Sequence, residues 1–417
     1  MYRLKNVLRP YAWGSATAIA ELFGREPSGG PEAELWIGAH PDSPSSVLLP
    51  GGAEQPLDAF IDAHPAPALG GETIGRFGAK LPFLAKVIAA ESALSLQVHP
   101  TREQARAGYA AENAARIPAA DPARSYRDSN HKPEMIYALT PFEALCGFRQ
   151  PRDAARLFTG LRGKLAAAGA DTALVDQVIG ALQGPDGPAG VRTAFLALLE
   201  GGSRSADLVE VTAKVLAGVA PDRLGPEFAT VAWLADLYPQ DPGTLVSLLL
   251  NHVTLEPGQA LCLPAGQIHA YLRGLGVEIM ASSDNVLRCG LTPKHINIAE
   301  LVRICDFTPG RPPFVEPLVT DTGQELYCPP FAEFQLQRIE LQDGDGPVAL
   351  DQHGPAVVLA VSGSALLDSP RSDLLLRRGD SAFIPDAEQP VLVHPALDSR
   401  SPAVLFAVTT SGNPGTE

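Results

Sequence analysis

With 417 residues, 45% of them hydrophobic, the chain can bury a large core and is expected to fold as two or three domains. Its net charge of −15, from 32 basic and 47 acidic residues, argues against nucleic acid or an anionic membrane as partner. A small phosphate compound stays open as a substrate, because it needs only a few local cations. Five scattered cysteines, odd in number and with no C-x-x-C pair, point to a reducing compartment. No stretch reaches the length of a membrane span, and the first residues lack the apolar core of a signal peptide, so cytoplasm is the expected location.

Residues 1–148 alternate short apolar runs with turns and read mostly as strands, with an Ala-rich helix around 101–117. In ALSLQVHP (93–100), strand periodicity sets Ser95, Gln97 and His99 on one face and Leu94, Leu96 and Val98 on the other. From about 150 the apolar residues recur every three to four positions between Gly, Pro and Asp breaks, a helical block that ends near 242. Strand character then resumes through 243–319 and again through 320–413, before a polar tail, SGNPGTE, that reads as frayed. GQALCLPAGQIH carries Gly258, Pro264, Gly266 and His269. GDSAFIPDAEQP repeats Gly379 and Pro385 at the same separation, but has Ala387 and Pro390 where the first copy has glycine and histidine. Two β-rich units built on one pattern suggest two small sandwiches or barrels, only one of which carries chemistry.

Four groups stand out as metal ligands. Gln97 and His99 share a strand face; Glu134 follows His131-Lys132-Pro133; His269 follows the turn Pro264-Ala265-Gly266. Two imidazoles, one carboxylate and one amide oxygen suit zinc, and they leave it a Lewis acid towards a hydroxyl or carbonyl oxygen. Each histidine taken alone is more often a hydrogen-bonded structural residue. Arg288 and Lys294, in SSDNVLRCGLTPKH, can converge on an anion, while Asp284 and Asn285 read as turn formers. Lys86 interrupts the apolar run LPFLAKVIAA and either faces the interior or snorkels. Glu278, between Val277 and Ile279, faces either a polar pocket or water. No dinucleotide fingerprint, P-loop or nucleophile elbow is present.

YAWG (11–14), ELWIGAHP (34–41), LPFLAKV (81–87), LSLQVHP (94–100), NHKPEM (130–135), FEALCGFR (142–149), PAGQIHAYL (264–272) and VEIMASSDNVLRCGLTPKH (277–295) together resemble the type I phosphomannose isomerases. The resemblance implies a zinc enzyme interconverting D-mannose 6-phosphate and D-fructose 6-phosphate through an enediol, with one Zn2+ per chain held by Gln97, His99, Glu134 and His269. It implies catalytic roles for Arg288, Lys132, Glu278 and His131, and substrate contacts for Lys294, Ser95, Lys86 and Trp13. The expected fold is mainly β with an α-helical insertion. It comprises a cupin-like (jelly-roll) catalytic domain in two parts (1–149 and 243–319), a helical domain (150–242) and a second cupin-like domain without ligands (320–413). A monomer acting on a small phosphorylated sugar, without nucleic acid or membrane, completes the expectation. Another metal-dependent sugar isomerase or epimerase, or a non-catalytic sugar-binding cupin, are the alternatives. Cys289 and Asn297 depart from residues common in the family.

Overall fold

The computed structural model describes residues 1–396 and 401–412. The end of the tail read as frayed (413–417), and with it the last residue of the 320–413 unit, lies outside them. The expectation of a mainly β, cupin-like fold is overturned. Helix and strand are nearly balanced, at 31% and 29%, and no sheet closes into a barrel or curls into a jelly roll among the described residues. Helices absent from the sequence reading account for part of the difference. Leu57–Ala63 and Pro65–Phe77 lie within a region read mostly as strands.

Instead, open antiparallel sheets of eleven, nine and four strands are packed together. At the heart of the eleven-stranded sheet runs the long strand His269–Ala281. Its second half pairs with Phe83–Ala90 on one side and Glu134–Ala138 on the other, and its first half pairs with Leu96–Val98 and Phe142–Phe148. Between the halves, Gly274 has φ +130°, and a Cβ there would sit 2.7 Å from the Phe142 ring. Only glycine lets the strand change partners so tightly.

Alternation along the paired strands sets the site. Phe83, Ala85, Val87 and Ala89, with Val277 and Ile279, belong to a core shared with Phe383, Phe406 and Val408 of the nine-stranded sheet. Lys86 and Glu278, opposite each other in register, therefore point to the other face. The nine-stranded sheet joins distant chain segments, since Tyr2–Lys5 pairs with Ser381–Ile384 and with Ser46–Leu48. Helices from Pro151–Ala167 through Gly243–Val246 bury their apolar faces against Leu96, Val98, Ile268 and Ala270. They support the strands that carry Gln97 and His269. Asn297 accepts from the Glu300 amide and caps the helix Ile298–Ile304, and Cys289 is fully buried.

Candidate metal centre and substrate pocket

His99, Glu134 and His269 come from three separate segments, yet their ligand atoms all lie within 4.8 Å of one another. Glu134 opens its strand directly after Pro133, whose ring fixes the entry. His269 opens its own strand after the turn at Gly266, whose φ is +80°. His99 Nε2 lies 3.4 Å and His269 Nε2 3.3 Å from the two carboxylate oxygens of Glu134. Both rings are held by their other nitrogen, His99 Nδ1 by the Asn285 carbonyl at 2.7 Å and His269 Nδ1 by the Gln267 carbonyl at 3.0 Å. A carbonyl only accepts, so each Nδ1 carries the hydrogen and each Nε2 presents a lone pair.

The consequence is a buried cluster of acceptors without donors. Among the described residues, His99 Nε2, His269 Nε2 and Glu134 Oε2 have no hydrogen-bond partner. Three converging, partnerless acceptors are costly in a dry interior unless a cation joins them. Burial pushes the His99 imidazole down to about 4, which keeps it neutral as a ligand must be. Burial also opposes ionisation of Glu134, but the Lys132 ammonium, with the His99 and His269 rings beside it, outweighs it and holds the carboxyl well below its ordinary range. Gln97 lies directly opposite His269 on one neighbouring strand and opposite Arg288 on the other. All three therefore share one face. Imidazole, imidazole and carboxylate, with an amide oxygen at hand, match the donor set of zinc.

Around this cluster the structure resolves two open readings. Lys86 does not snorkel and Glu278 does not face water: they are 6% and 3% exposed, and they pair at 2.9 Å. Burial, reinforced by the negative charges of Glu134 and Glu34 and opposed by Lys86, raises the Glu278 carboxyl above its usual value. Burial alone would lower Lys86, but Glu278 and Glu34 more than reverse it, so the lysine stays protonated. Lys132 reaches Glu134 at 3.2 Å. Trp13 is partly buried and stacks on Tyr11 with ring centroids 5.8 Å apart, and Ser95 sits half-buried two residues before Gln97. His131 goes elsewhere. Its Nε2 bonds Glu333 at 2.7 Å and Arg102 at 2.8 Å, so its partners are not those of Lys132 and Glu134.

Arg288 and exposed Lys294 form a positive patch with Arg127, which the sequence reading missed. The Arg288 charge, then burial and Arg127, push Lys294 below its normal value. Burial and then Arg127 do the same to Arg288. Also missed were Glu34, whose carboxylate accepts from Trp36 Nε1 at 2.6 Å, and Tyr271, whose buried hydroxyl has no partner. Asn285, read as a turn former, is fully buried. Its side chain ties the chain to Asp128, Asn130 and the Arg127 amide while its carbonyl orients His99. The alternating face of Glu34-Leu-Trp36 was the available signal for Glu34. Nothing local marks Arg127.

The fold and this cluster define a mononuclear divalent-metal centre, with buried Lys–Glu pairs around it and a cationic patch of Arg127, Arg288 and Lys294. Residues 1–151 match the model of the phosphomannose isomerase type I catalytic domain. The chain is 40% identical to the mannose-6-phosphate isomerase of Escherichia coli over 94% of its own length and 97% of that protein's. It is 32% identical to the rat mannose-6-phosphate isomerase, covering 92% and 93%. A solved structure of mannose 6-phosphate isomerase in the zinc-bound holo form matches with a TM-score of 0.84 and 35% identity, covering 98% of this chain and 99% of that one. This chain belongs to the type I phosphomannose isomerase family.

Proposed function

We propose that the protein is a zinc-dependent aldose–ketose isomerase that interconverts D-mannose 6-phosphate and D-fructose 6-phosphate, with one zinc ion per chain. The observation that carries this reading is the buried trio of partnerless acceptors on His99, Glu134 and His269, in a chain of this family. Gln97 is assigned as the fourth ligand, supported by its position opposite His269. When bound, zinc supplies Lewis acidity for the sugar oxygens at the reacting edge.

The remaining work falls to side chains. Isomerisation moves a proton between C2 and C1 through an enediol. Glu278 is assigned as the group that carries it, because its raised carboxyl sits closer to neutral pH than an ordinary glutamate. Lys86 is assigned to hold Glu278 in place and to balance its charge, which its 2.9 Å bond supports. Lys132, at Glu134, is placed to donate to a substrate oxygen. Arg288 and Lys294, together with Arg127, are assigned to the phosphate and to the charge that grows on the enediolate. Their mutual repulsion supports this, since a dianion relieves it. Ser95 and Trp13 are assigned to the walls of the pocket. The helices of 150–242 are read as a buttress for the strands bearing Gln97 and His269, which their shared core supports.

A cytoplasmic monomer acting on a small phosphosugar, without nucleic acid, completes the reading. The acidic net charge and five free cysteines support it, and no helix among the described residues is long and apolar enough to cross a membrane. Zinc-loaded protein should convert mannose 6-phosphate to fructose 6-phosphate, stop when the metal is chelated, and recover when zinc is returned. No turnover, or a C2 epimer as the product, would refute the assignment.

A further inference from the structure

A second cationic cleft, which the proposed reaction does not use, is bordered by Pro133 and Pro264 on the segments that lead to the metal ligands. One lobe, of about 740 Å³, is lined by Arg102, Arg106 and His131 against an apolar wall that includes Phe331 and Pro264. A smaller lobe, of about 180 Å³, is also lined by Arg102, Arg106 and His131 and adds Arg76 and Lys80. Four permanent cations therefore meet two carboxylates, Glu103 and Glu333, in a chain whose net charge is −15.

The placement of these cations is locally unfavourable. Arg102 and Arg106 are one turn apart at the start of the helix Arg102–Ala114, where like charges repel and the helix dipole disfavours positive charge. Glu333 bonds both Arg102 and His131, yet Arg102 Nε remains buried with no acceptor. The exposed Arg106 and Lys80 side chains have no hydrogen-bond or ion-pair partner among the described residues. The cleft thus holds directed N–H donors, two unpaired charges and an apolar wall, in a volume suited to a small molecule. Its walls come from residues interleaved with the ligands: Pro133 precedes Glu134, and Thr101 lies two positions after His99.

We propose that this cleft is a second anion site, which binds a phosphate monoester outside the substrate pocket. Its phosphate would meet Arg102, Arg106 and Lys80, and its less polar body would lie against Phe331. The site is separate from the Arg127–Arg288–Lys294 patch assigned to the substrate's phosphate, and the two can be tested apart. Inorganic phosphate titrated calorimetrically into zinc-loaded protein is the probe, applied to wild type, to Lys80→Glu/Arg106→Glu and to Lys294→Ala. Both cleft positions are exposed, so the double variant should fold, and Lys80→Gln/Arg106→Gln supplies a milder comparison. Phosphate binding that survives Lys294→Ala but weakens at least about tenfold in the double Glu variant, with an intermediate loss in the Gln pair, is the expected result. In phosphate-free buffer, kcat and KM for mannose 6-phosphate should stay at wild-type values in both cleft variants. An unchanged isotherm in the double Glu variant would overturn the proposal. So would a raised KM with kcat retained, which would make the cleft the substrate's own phosphate anchor. The phosphate titration reads the cleft even if the isomerase assignment fails.

Discussion

Residues 258–269 and 379–390 begin alike. Gly258 and Gly379 have φ of +97° and +89°, each leads into a four-residue strand (Ala260–Leu263 and Ser381–Ile384), and each strand ends at a proline. After the proline they part. In the first, Gly266 turns the chain with a positive φ and the next strand starts at once with His269. In the second, Ala387 sits in a short 3-10 turn, Asp386–Glu388, and the following strand begins only at Leu392. The first copy buries a polar side chain just after its turn and the second buries one within it, but the two are satisfied differently. Glu388 is fully satisfied by the Met1 amino group, Ser369 and Ser372. His269 keeps a bare Nε2 facing Glu134. One scaffold thus serves structure where its buried polar group is satisfied, and serves a ligand where that group is left wanting.

The strongest way to break this comparison is to remove the unsatisfied group. His269→Ala should lose bound zinc on dialysis and turnover with it. His394→Ala, a change at a half-buried histidine paired with Asp368, should keep both; elemental analysis and a rate assay compare them. Next in size is Arg288→Lys, which preserves charge but loses the planar fork. It should lower kcat by about 10²–10³, the cost of one well-aimed donor, with zinc content unchanged. Wild-type values of both kinetic constants would remove Arg288 from the reacting edge.

A subtler loss is expected at Asn285, which touches the metal site only by orienting His99. Asn285→Ala keeps the main-chain carbonyl that holds His99 Nδ1 but removes the side-chain bonds to Asp128, Asn130 and the Arg127 amide that position it. It should weaken zinc affinity about tenfold, the low end of the effect of disturbing support behind a ligand. Competition with a chelator measures it, and wild-type affinity would contradict the role. Smallest is Glu388→Gln, which should leave zinc and turnover intact while lowering unfolding free energy by about 1.5–3 kcal/mol, the worth of a hydrogen bond to a charged group. Burial opposes ionisation of Glu388, but the Met1 ammonium and Ser369 outweigh it and depress the carboxyl below 4.5. A depressed carboxyl stabilises fully above its ordinary value, and the contribution fades as pH falls through the folded one. Denaturant melts at pH 7 and below pH 4 should therefore show wild type losing more stability than Glu388→Gln.

The His99–Glu134–His269 cluster was legible from signals weak one at a time that recurred together: period two at His99, Pro133 before Glu134, Gly266 before His269. Lys86 and Glu278 were visible only as interruptions, because their fates depend on facing each other across two strands far apart in sequence. Arg127 and Asn285 had no pattern to betray them; their roles come from a loop folded back onto the site. The fold class went astray for a related reason. The repeated Gly–Pro pattern and the family resemblance pointed to closed β units, but sheet closure is decided by non-local pairing. Tyr2–Lys5 docking on Ser381–Ile384 leaves no trace in either segment. The catalytic role of His131 came from the family resemblance alone, and no pattern in the sequence shows that its side chain bonds Arg102 and Glu333.

On this reading the first copy of the shared pattern holds the metal and the second, with Pro390 in place of the histidine, does not. Anomalous scattering at the zinc edge, from crystals of the zinc-loaded protein, tests it most directly. A single strong peak per chain is expected among Gln97, His99, Glu134 and His269, and none near Pro390. A peak beside Pro390, or none between His99 and His269, would contradict it.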